Sequence, residues 1–509
     1  MSRPFRKILV ANRGEIAVRI LRSCRDLGIE TVAVYSEADR NSLHVRYANE
    51  ARLLGPPAPS ESYLRIDRIL EIAKETGAEA IHPGFGFLAE NAAFARAVTE
   101  AGFAFIGPPP ASMEVMGDKL ASRAAMVAAG VAVVPGTTEP LADAAAALKT
   151  ANEVGYPVML KASAGGGGKG IRVVRSADEI EAAFTTASGE SLSAFGDGRM
   201  YIEKFLERPR HVEVQILGDQ HGKVIHVGER ECSIQRRHQK LIEEAPCTVV
   251  DDATRAKMGA MAVAAAKAVD YFSAGTVEFL WSNGEYYFLE MNTRIQVEHA
   301  ITEEVYGVDL IAWMIRIAAG EKLTLPDNLT PRGHAFEVRL NAEDPDMGFV
   351  PSLGTIQDLR IPGGPGVRVD SAMYRGMEVT PYYDSMLAKL ITYGSDREQA
   401  RRRMLRVLQE LFVGGVKTSA SLALQILQTP EFIAGDYDTG FLEAWRESDP
   451  ETSREVDDDF EEVAALVAAM HRHHSAHQNA LQFAGDADSS LSPWVAADRF
   501  KRLGKGVRS

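Results

Sequence analysis

The sequence predicts a multidomain chain of α/β and α+β type that opens with a doubly wound α/β domain. Three observations carry this. Residues 5–117 alternate short apolar runs ("KILVA", "TVAVYS", "AEAIHP", "FAFIGP") with helical patterns such as "GEIAVRILRSCRDLG", and that alternation implies βαβ units around a parallel sheet. A glycine-rich stretch, "KASAGGGGKG" at residues 161–170, is flanked by "YPVMLKAS" and "IRVVRS", which reads as strand, glycine turn, strand. Farther on, the strand-like "AFEVRLNAE" precedes the helical "SDREQARRRMLRVLQELF".

The chain of 509 residues is long enough for several domains, each with its own core. The punctuation divides it into 1–117, closed by "GPPPAS", then 118–332, ending near "LTLPDNLTPRG", then 333–446, and a tail, 447–509. Hydrophobic residues make up 46% and charged residues 25%, ordinary for a globular protein. With 56 basic against 70 acidic residues the net charge is -14, which argues against nucleic acid as a partner and leaves room for a local cationic pocket. Cys24, Cys232 and Cys247 are too few and too irregular for a disulfide framework or a zinc site. The apolar run in "MSRPFRKILVANRGE" is too short for a signal peptide, and no segment is long enough to span a bilayer. A cytoplasmic protein without membrane contact is expected.

The glycine stretch fits none of three phosphate loops completely. In a P-loop, Ser163 would stand at the first glycine position and Gly170 at the Ser/Thr position. Gly165, Gly167 and Gly170 satisfy G-x-G-x-x-G, but that fingerprint needs a following helix to hold the pyrophosphate. Arg172 occupies the valine position of a kinase loop, and no H-R-D or D-F-G occurs. A glycine hairpin over phosphates remains, with Lys161 on its incoming strand and Lys169 in the loop.

The segment "YYFLEMNTRIQVEH", residues 286–299, is the most informative. If it is extended, Glu290, Asn292, Arg294, Gln296 and Glu298 project from one face. Hard oxygen ligands mixed with a guanidinium and amides point to a site rather than a solvated face. Upstream, "GTVEFLW" and "EYYFLEM" flank "SNG" as a hairpin. A two-residue Asn283-Gly284 turn pairs Glu278 with Leu289; a three-residue loop pairs it with Phe288 and leaves Glu290 diagonal on the same face. Joint metal ligation by both glutamates then requires the three-residue loop. Such a site, Glu278, Glu290 and Asn292, suits Mg²⁺ or Mn²⁺ beside nucleotide phosphates. The run Arg236, Arg237, His238 and Lys240 in "ECSIQRRHQKLIEEAP" is either a solvated face or an anion pocket.

These motifs together resemble the biotin carboxylase family of the ATP-grasp superfamily. "ANRGEIA", "HPGFGFLAEN", "MGDK", "KASAGGGGKG", "RHVEVQ", "RRHQKLIEEAP", "EMNTRIQVEH" and "PYYDSMLAKL" occur in the family's order over about residues 5–445. The resemblance implies an ATP-grasp domain at 118–332 with a glycine-loop lid at about 135–206, and a biotin carboxylase C-terminal domain at 333–446. It assigns ATP contacts to Lys119, Lys161, Gly165, Gly166, Gly167, Gly168, Glu203, Lys204, Leu206, His211, Gln235, His238, Glu278, Leu280 and Glu290. Lys240, Arg294, Gln296 and Val297 match the bicarbonate pocket, Glu298 the catalytic base, and Arg339 the residue that steadies the biotin enolate. Lys169 stands where many members carry arginine, and Phe85 where tyrosine is usual. A non-catalytic nucleotide-binding scaffold would be expected to lack a metal carboxylate or the base. Another ATP-grasp ligase, for carbamoyl phosphate or an amino acid, would lack the bicarbonate and biotin motifs.

The implied reaction is ATP- and bicarbonate-dependent carboxylation of biotin, the first half-reaction of an acyl-CoA carboxylase acting on acetyl-CoA or propionyl-CoA, or of a two-subunit pyruvate carboxylase. The chain holds no biotin-acceptor "MKM" segment, so a biotin carboxyl carrier protein and carboxyltransferase subunits are the expected partners, with the chain itself a homodimer. The tail is a separate, helical and charged unit. It has nine acidic and one basic residue between Glu447 and Glu462, then five basic residues from Arg499 to Arg508. Trp494 and Phe500 suit docking of a partner chain, and the recurring His471, His474 and His477 read as a solvated or interface face rather than a metal site.

Overall fold

A computed structural model of the chain describes residues 4–163 and 170–448. The chain divides into the units Met1–Trp445 and Arg446–Ser509, and the sheets and the site belong to the first. The glycines 165–168, Lys169, and the tail from residue 449, with its histidines, Trp494 and Phe500, lie outside the described residues. Among the described residues no helix is long and apolar enough to cross a membrane.

The opening third forms a five-stranded sheet in the order β3-β2-β1-β4-β5. Its strands are β1 (Lys7–Val10), β2 (Glu30–Ser36), β3 (Glu50–Gly55), β4 (Ala80–His82) and β5 (Ala104–Phe105), and every neighbouring pair is parallel. Period-two alternation divides β1 between two cores. Ile8 and Val10 pack with Ile16 and Ile20 of the helix Gly14–Asp26, while Leu9 packs on the other face with Ile69 and Ile72 of the helix Ile66–Thr76. Both faces are covered, as a doubly wound sheet requires. Strand β3 escapes sequence reading because it is an edge strand with one buried residue, Leu54.

The glycine stretch does join two antiparallel strands, β6 (Val158–Ala162) and β7 (Ile171–Val174), in a small sheet completed by β8 (Met200–Lys204). Leu160 and Ile202 pack there against Ala147, Ala151 and Ala187 from two covering helices.

The body of the molecule is an eight-stranded antiparallel sheet. It contains β9 (Arg210–Gly218), β10 (Val224–Arg236), β11 (Gln239–Ala245), β12 (Ser273–Ser282), β13 (Glu285–Asn292) and β14 (His334–Asn341), followed by Met386–Gly394 and Val367–Ser371. Its order is β13-β12-β9-β10-β11-β14, then those last two strands. The sheet crosses the boundary expected at residue 333, because β11 pairs with β14. That junction carries side chains from both sides into one site.

Candidate active site

The β12–β13 hairpin explains how two acidic side chains come together. Ser282 pairs with Glu285, so the turn is the two-residue Asn283-Gly284, with φ of +52° and +85°, the backbone that an Asn-Gly turn provides. The register holds from that turn to Phe279 opposite Phe288, then slips, so that Glu278 faces Glu290. Leu289 is the extra residue of a β-bulge. The expectation that joint use of the two glutamates requires a three-residue loop is therefore wrong. The turn is short, and the bulge re-aims Glu290.

A second expectation fails for a related reason. Strand β13 ends at Asn292, and Gln296–Glu298 form a turn into the helix His299–Tyr306, so Arg294, Gln296 and Glu298 do not continue a period-two row. They reach the site by contacts instead. Gln296 Nε2 and Asn292 Nδ2 both donate to Glu278 Oε1 at 2.8 Å. Arg294 Nη2 donates to Asn292 Oδ1 at 3.1 Å, and its Nε to Glu90 Oε2 of the first domain at 3.0 Å.

At the centre lies Lys240. Its Nζ donates to Glu213 Oε2 at 2.5 Å, Glu278 Oε1 at 2.9 Å and Glu298 Oε1 at 2.7 Å, one carboxylate for each of its N–H bonds. The cationic run around it is therefore divided: Arg237 and His238 sit exposed with positive φ at the β10–β11 turn, Arg236 lies over the Phe349 ring, and Lys240 alone is buried. Ligand atoms of His211, Glu213 and Glu278 lie within 4.8 Å of one another, but the ammonium already balances that group.

Charge sorts the carboxylates. Burial opposes ionisation of Glu298, yet Lys240, Arg339 and Arg230 outweigh it and hold its carboxyl well below the usual range. Glu278 is likewise held down against burial, by Lys240 and by His211, whose Nε2 is 3.0 Å away. Glu290, by contrast, is pushed up by burial and by the charge of Glu278 facing it. On the far side of Glu298, Arg339 donates from Nη2 to Glu298 Oε2 at 3.0 Å and from Nε to Glu243 Oε1 at 2.6 Å.

A second corner is cationic. Lys119 opens the helix Lys119–Ala128; burial lowers its pKa and the nearby Lys161 lowers it further, against Glu290. Lys161 donates to Glu203 Oε2 at 2.5 Å, and Arg123 donates to the other oxygen at 2.6 Å. Lys204 turns its ammonium to the carbonyls of Gly155 and Tyr156, at 2.8 and 3.0 Å. Half-buried Leu280 lies opposite His211 in the sheet, Gln235 opposite Lys240, and Leu206 is half-buried beyond β8. Phe85 is half-buried in a loop whose carbonyl Asn12 Nδ2 grips at 2.7 Å.

Sequence reading missed Arg230, Glu213, Glu243, Glu90 and Arg123. Arg230 has no exposed surface; it donates to Glu213, Gln215, Thr302, Thr276 and Gln296 at 2.5 to 3.1 Å. For Glu213 a signal existed, since "RHVEVQ" on one strand places His211, Glu213 and Gln215 on one face. Arg230 offers none, because its partners come from four other segments.

Comparison with known proteins agrees with this architecture. Residues 4–113 match "Biotin carboxylase, N-terminal domain", 118–325 match "Carbamoyl-phosphate synthase L chain, ATP binding domain", and 337–444 match "Biotin carboxylase C-terminal domain". The chain is 53% identical over 468 residues to a pyruvate carboxylase subunit of Methanothermobacter thermautotrophicus, covering 92% of this chain and 95% of that one. It is 54% identical over 441 residues to a biotin carboxylase of Halalkalibacterium halodurans, covering 86% and 97%. It also superposes, with a TM-score of 0.84 and 48% identity, on the biotin carboxylase domain dimer of Hydrogenobacter thermophilus 2-oxoglutarate carboxylase, solved with MgADP, ADP and bicarbonate, covering 89% of this chain and 99% of that one. With relatives of this identity spanning nearly all of both chains, and the matching domains in the same order, the chain belongs to the biotin carboxylase family.

Proposed function

We propose that the chain carboxylates biotin borne on a separate carrier protein, using ATP and bicarbonate, as the first half-reaction of a multisubunit acyl-CoA carboxylase with acetyl-CoA or propionyl-CoA as final acceptor. The observation that carries this reading is Glu298, anionic and buried between Lys240 and Arg339. An incoming bicarbonate that takes donors from Lys240 and Arg294 loosens Glu298 from its ammonium and so raises its basicity. Glu298 then removes the bicarbonate proton as the bicarbonate oxygen attacks the γ-phosphorus and ADP leaves. The product, carboxyphosphate, breaks down to CO₂ and phosphate. That phosphate takes the biotin N1′ proton, and the Arg339 guanidinium steadies the enolate until it captures CO₂.

Glu278, Glu290 and Asn292 suit a divalent cation, because burial and then the facing charge of Glu278 both raise Glu290, and an ion between the two glutamates would offset the second. Bound there, Mg²⁺ supplies neutralisation of phosphate charge. Lys119 and Lys161, placed together despite like charge, are suited to the nucleotide's phosphates. The lid role expected of the β6–β7 hairpin would keep water from carboxyphosphate. The dimer formed by the Hydrogenobacter domain supports a homodimer here, with carrier and carboxyltransferase as further partners.

The test is ADP release by the purified chain, expected with bicarbonate plus free biotin and not with ammonia or amino acids in place of bicarbonate. Release that ignores bicarbonate rejects the reading. The final acceptor has a second candidate: the keto-acid relative, the Methanothermobacter pyruvate carboxylase chain, matches over 468 residues, farther than the 441 of the biotin carboxylase. Identifying the chains that co-purify from the native source decides between them.

A further inference from the structure

Lys389 takes no part in the steps assigned above, yet its side chain has no exposed surface. It lies on the strand Met386–Gly394, opposite Arg339 of β14 on one side and Asp370 on the other. A buried ammonium is costly without partners, so its partners indicate its use. Its shortest contact is to a peptide: Nζ donates to the Val297 carbonyl at 2.7 Å. Glu15 Oε2 and Asp370 Oδ2 both stand back at 3.7 Å, and Asp370 is taken by Arg368 Nη2 at 2.8 Å. Glu337 also faces Lys389, and the four carboxyl oxygens of Glu15 and Glu337 are buried without a hydrogen-bond partner. Burial pushes the Glu15 carboxyl up to about 7 and that of Glu337 well above the usual range. The cation is therefore held back from its acids and aimed at one carbonyl.

That carbonyl belongs to the turn carrying the base. The neighbouring carbonyls are satisfied locally: Gln296 O lies 2.7 Å from His299 Nδ1, and Glu298 O accepts from the Ile301 N–H at 3.3 Å. Of the three, Val297 O alone is held by a residue 92 positions away. Glu298 also ends the turn without capping the helix through its side chain, so its carboxylate depends on the peptide before it for direction.

We infer that Lys389 is a positioning residue for the reaction: by pinning the Val297 carbonyl it fixes the Val297–Glu298 peptide, and with it the direction in which the Glu298 carboxylate is presented to bicarbonate. This rests on the biotin carboxylase reading above. A displacement of about 1 Å at a reacting group can cost about 100-fold in rate, which sets the scale.

The test is Lys389→Met in the full chain, which keeps the stem and removes the donor. The kcat of bicarbonate-dependent ADP release is expected to fall about 10- to 100-fold and the bicarbonate KM to rise, with ADP affinity by calorimetry kept within about twofold. Unchanged kcat and bicarbonate KM overturn the inference, as does a loss of ADP affinity in step with a lower melting temperature, the signature of a purely structural lysine. Lys389→Gln keeps a polar head for the acids but stops short of the carbonyl. It carries the same expectation if the Met variant folds poorly. A wild-type chain without bicarbonate-dependent ADP release rejects the functional reading instead, so the two failures are distinct.

Discussion

Two lysine environments in this molecule are built on opposite principles. Lys240, in the eight-stranded sheet, has each N–H bond on a different carboxylate, and the sheet holds their charges in balance without any ligand. Lys119 and Lys161, near the small β6–β7–β8 sheet, are set close enough that one lowers the pKa of the other. The first arrangement is complete and holds Glu298 ionised. In the second, Lys161 is paired with Glu203, while Lys119 carries its charge against burial with Glu290 nearby. The proposed proton transfer thus falls on the preorganised side, and the proposed phosphate contacts fall where burial works against the Lys119 charge.

Four variants test that contrast, from the largest expected effect to the smallest. Glu298→Gln leaves the balanced cluster nearly isosteric but removes the base, so turnover should fall by ~10²–10⁴-fold with ADP affinity kept; equal loss of ADP affinity would make the residue structural. Lys240→Met strands three buried carboxylates and should lower stability by about 3–5 kcal/mol in denaturant titration. Little loss there would show that Arg230 and Arg339 already balance the site. Glu15→Gln sharpens the comparison through pH. The Glu15 carboxyl is raised from 4.5 to about 7 by burial, against Lys389, so the folded state resists ionising it. Its burden begins as pH rises past 4.5, where the unfolded chain ionises, and is complete above about 7. The variant should therefore gain up to about 3 kcal/mol at pH 8 and nothing at pH 4, and melting curves at the two pH values measure this. Lys119→Met, finally, should leave the melting temperature unchanged or higher, because it removes a charge that burial disfavours, while weakening ADP about 10- to 100-fold. A destabilised Lys119→Met variant would erase the distinction between the two environments.

Much of this was legible in the residue order, and the failures share one cause. Four of the five strands of the first domain, the hairpin around the glycine stretch and the β12–β13 hairpin follow from short local patterns, whereas the length of the β12–β13 turn was left open. Gathering Glu278, Glu290, Asn292, Gln296 and Glu298 as one group was also within reach, since the types are unusual for a solvated face. Their geometry was not. The bulge at Leu289, the end of β13 at Asn292 and the division of the cationic run each depend on what lies across the sheet.

The sequence by itself determined most of the elements and their order, and part of the group that meets at the site, because propensity, period and motif are local properties. Only the tertiary structure decided which charge answers which. Arg230 reaches Gln296 across 66 positions, Lys240 reaches Glu298 across 58 and Lys389 reaches Val297 across 92. A buried charge is stabilised by whatever lies within a few ångströms, and in an antiparallel sheet that neighbour is set by register and by bulges, which no local pattern encodes.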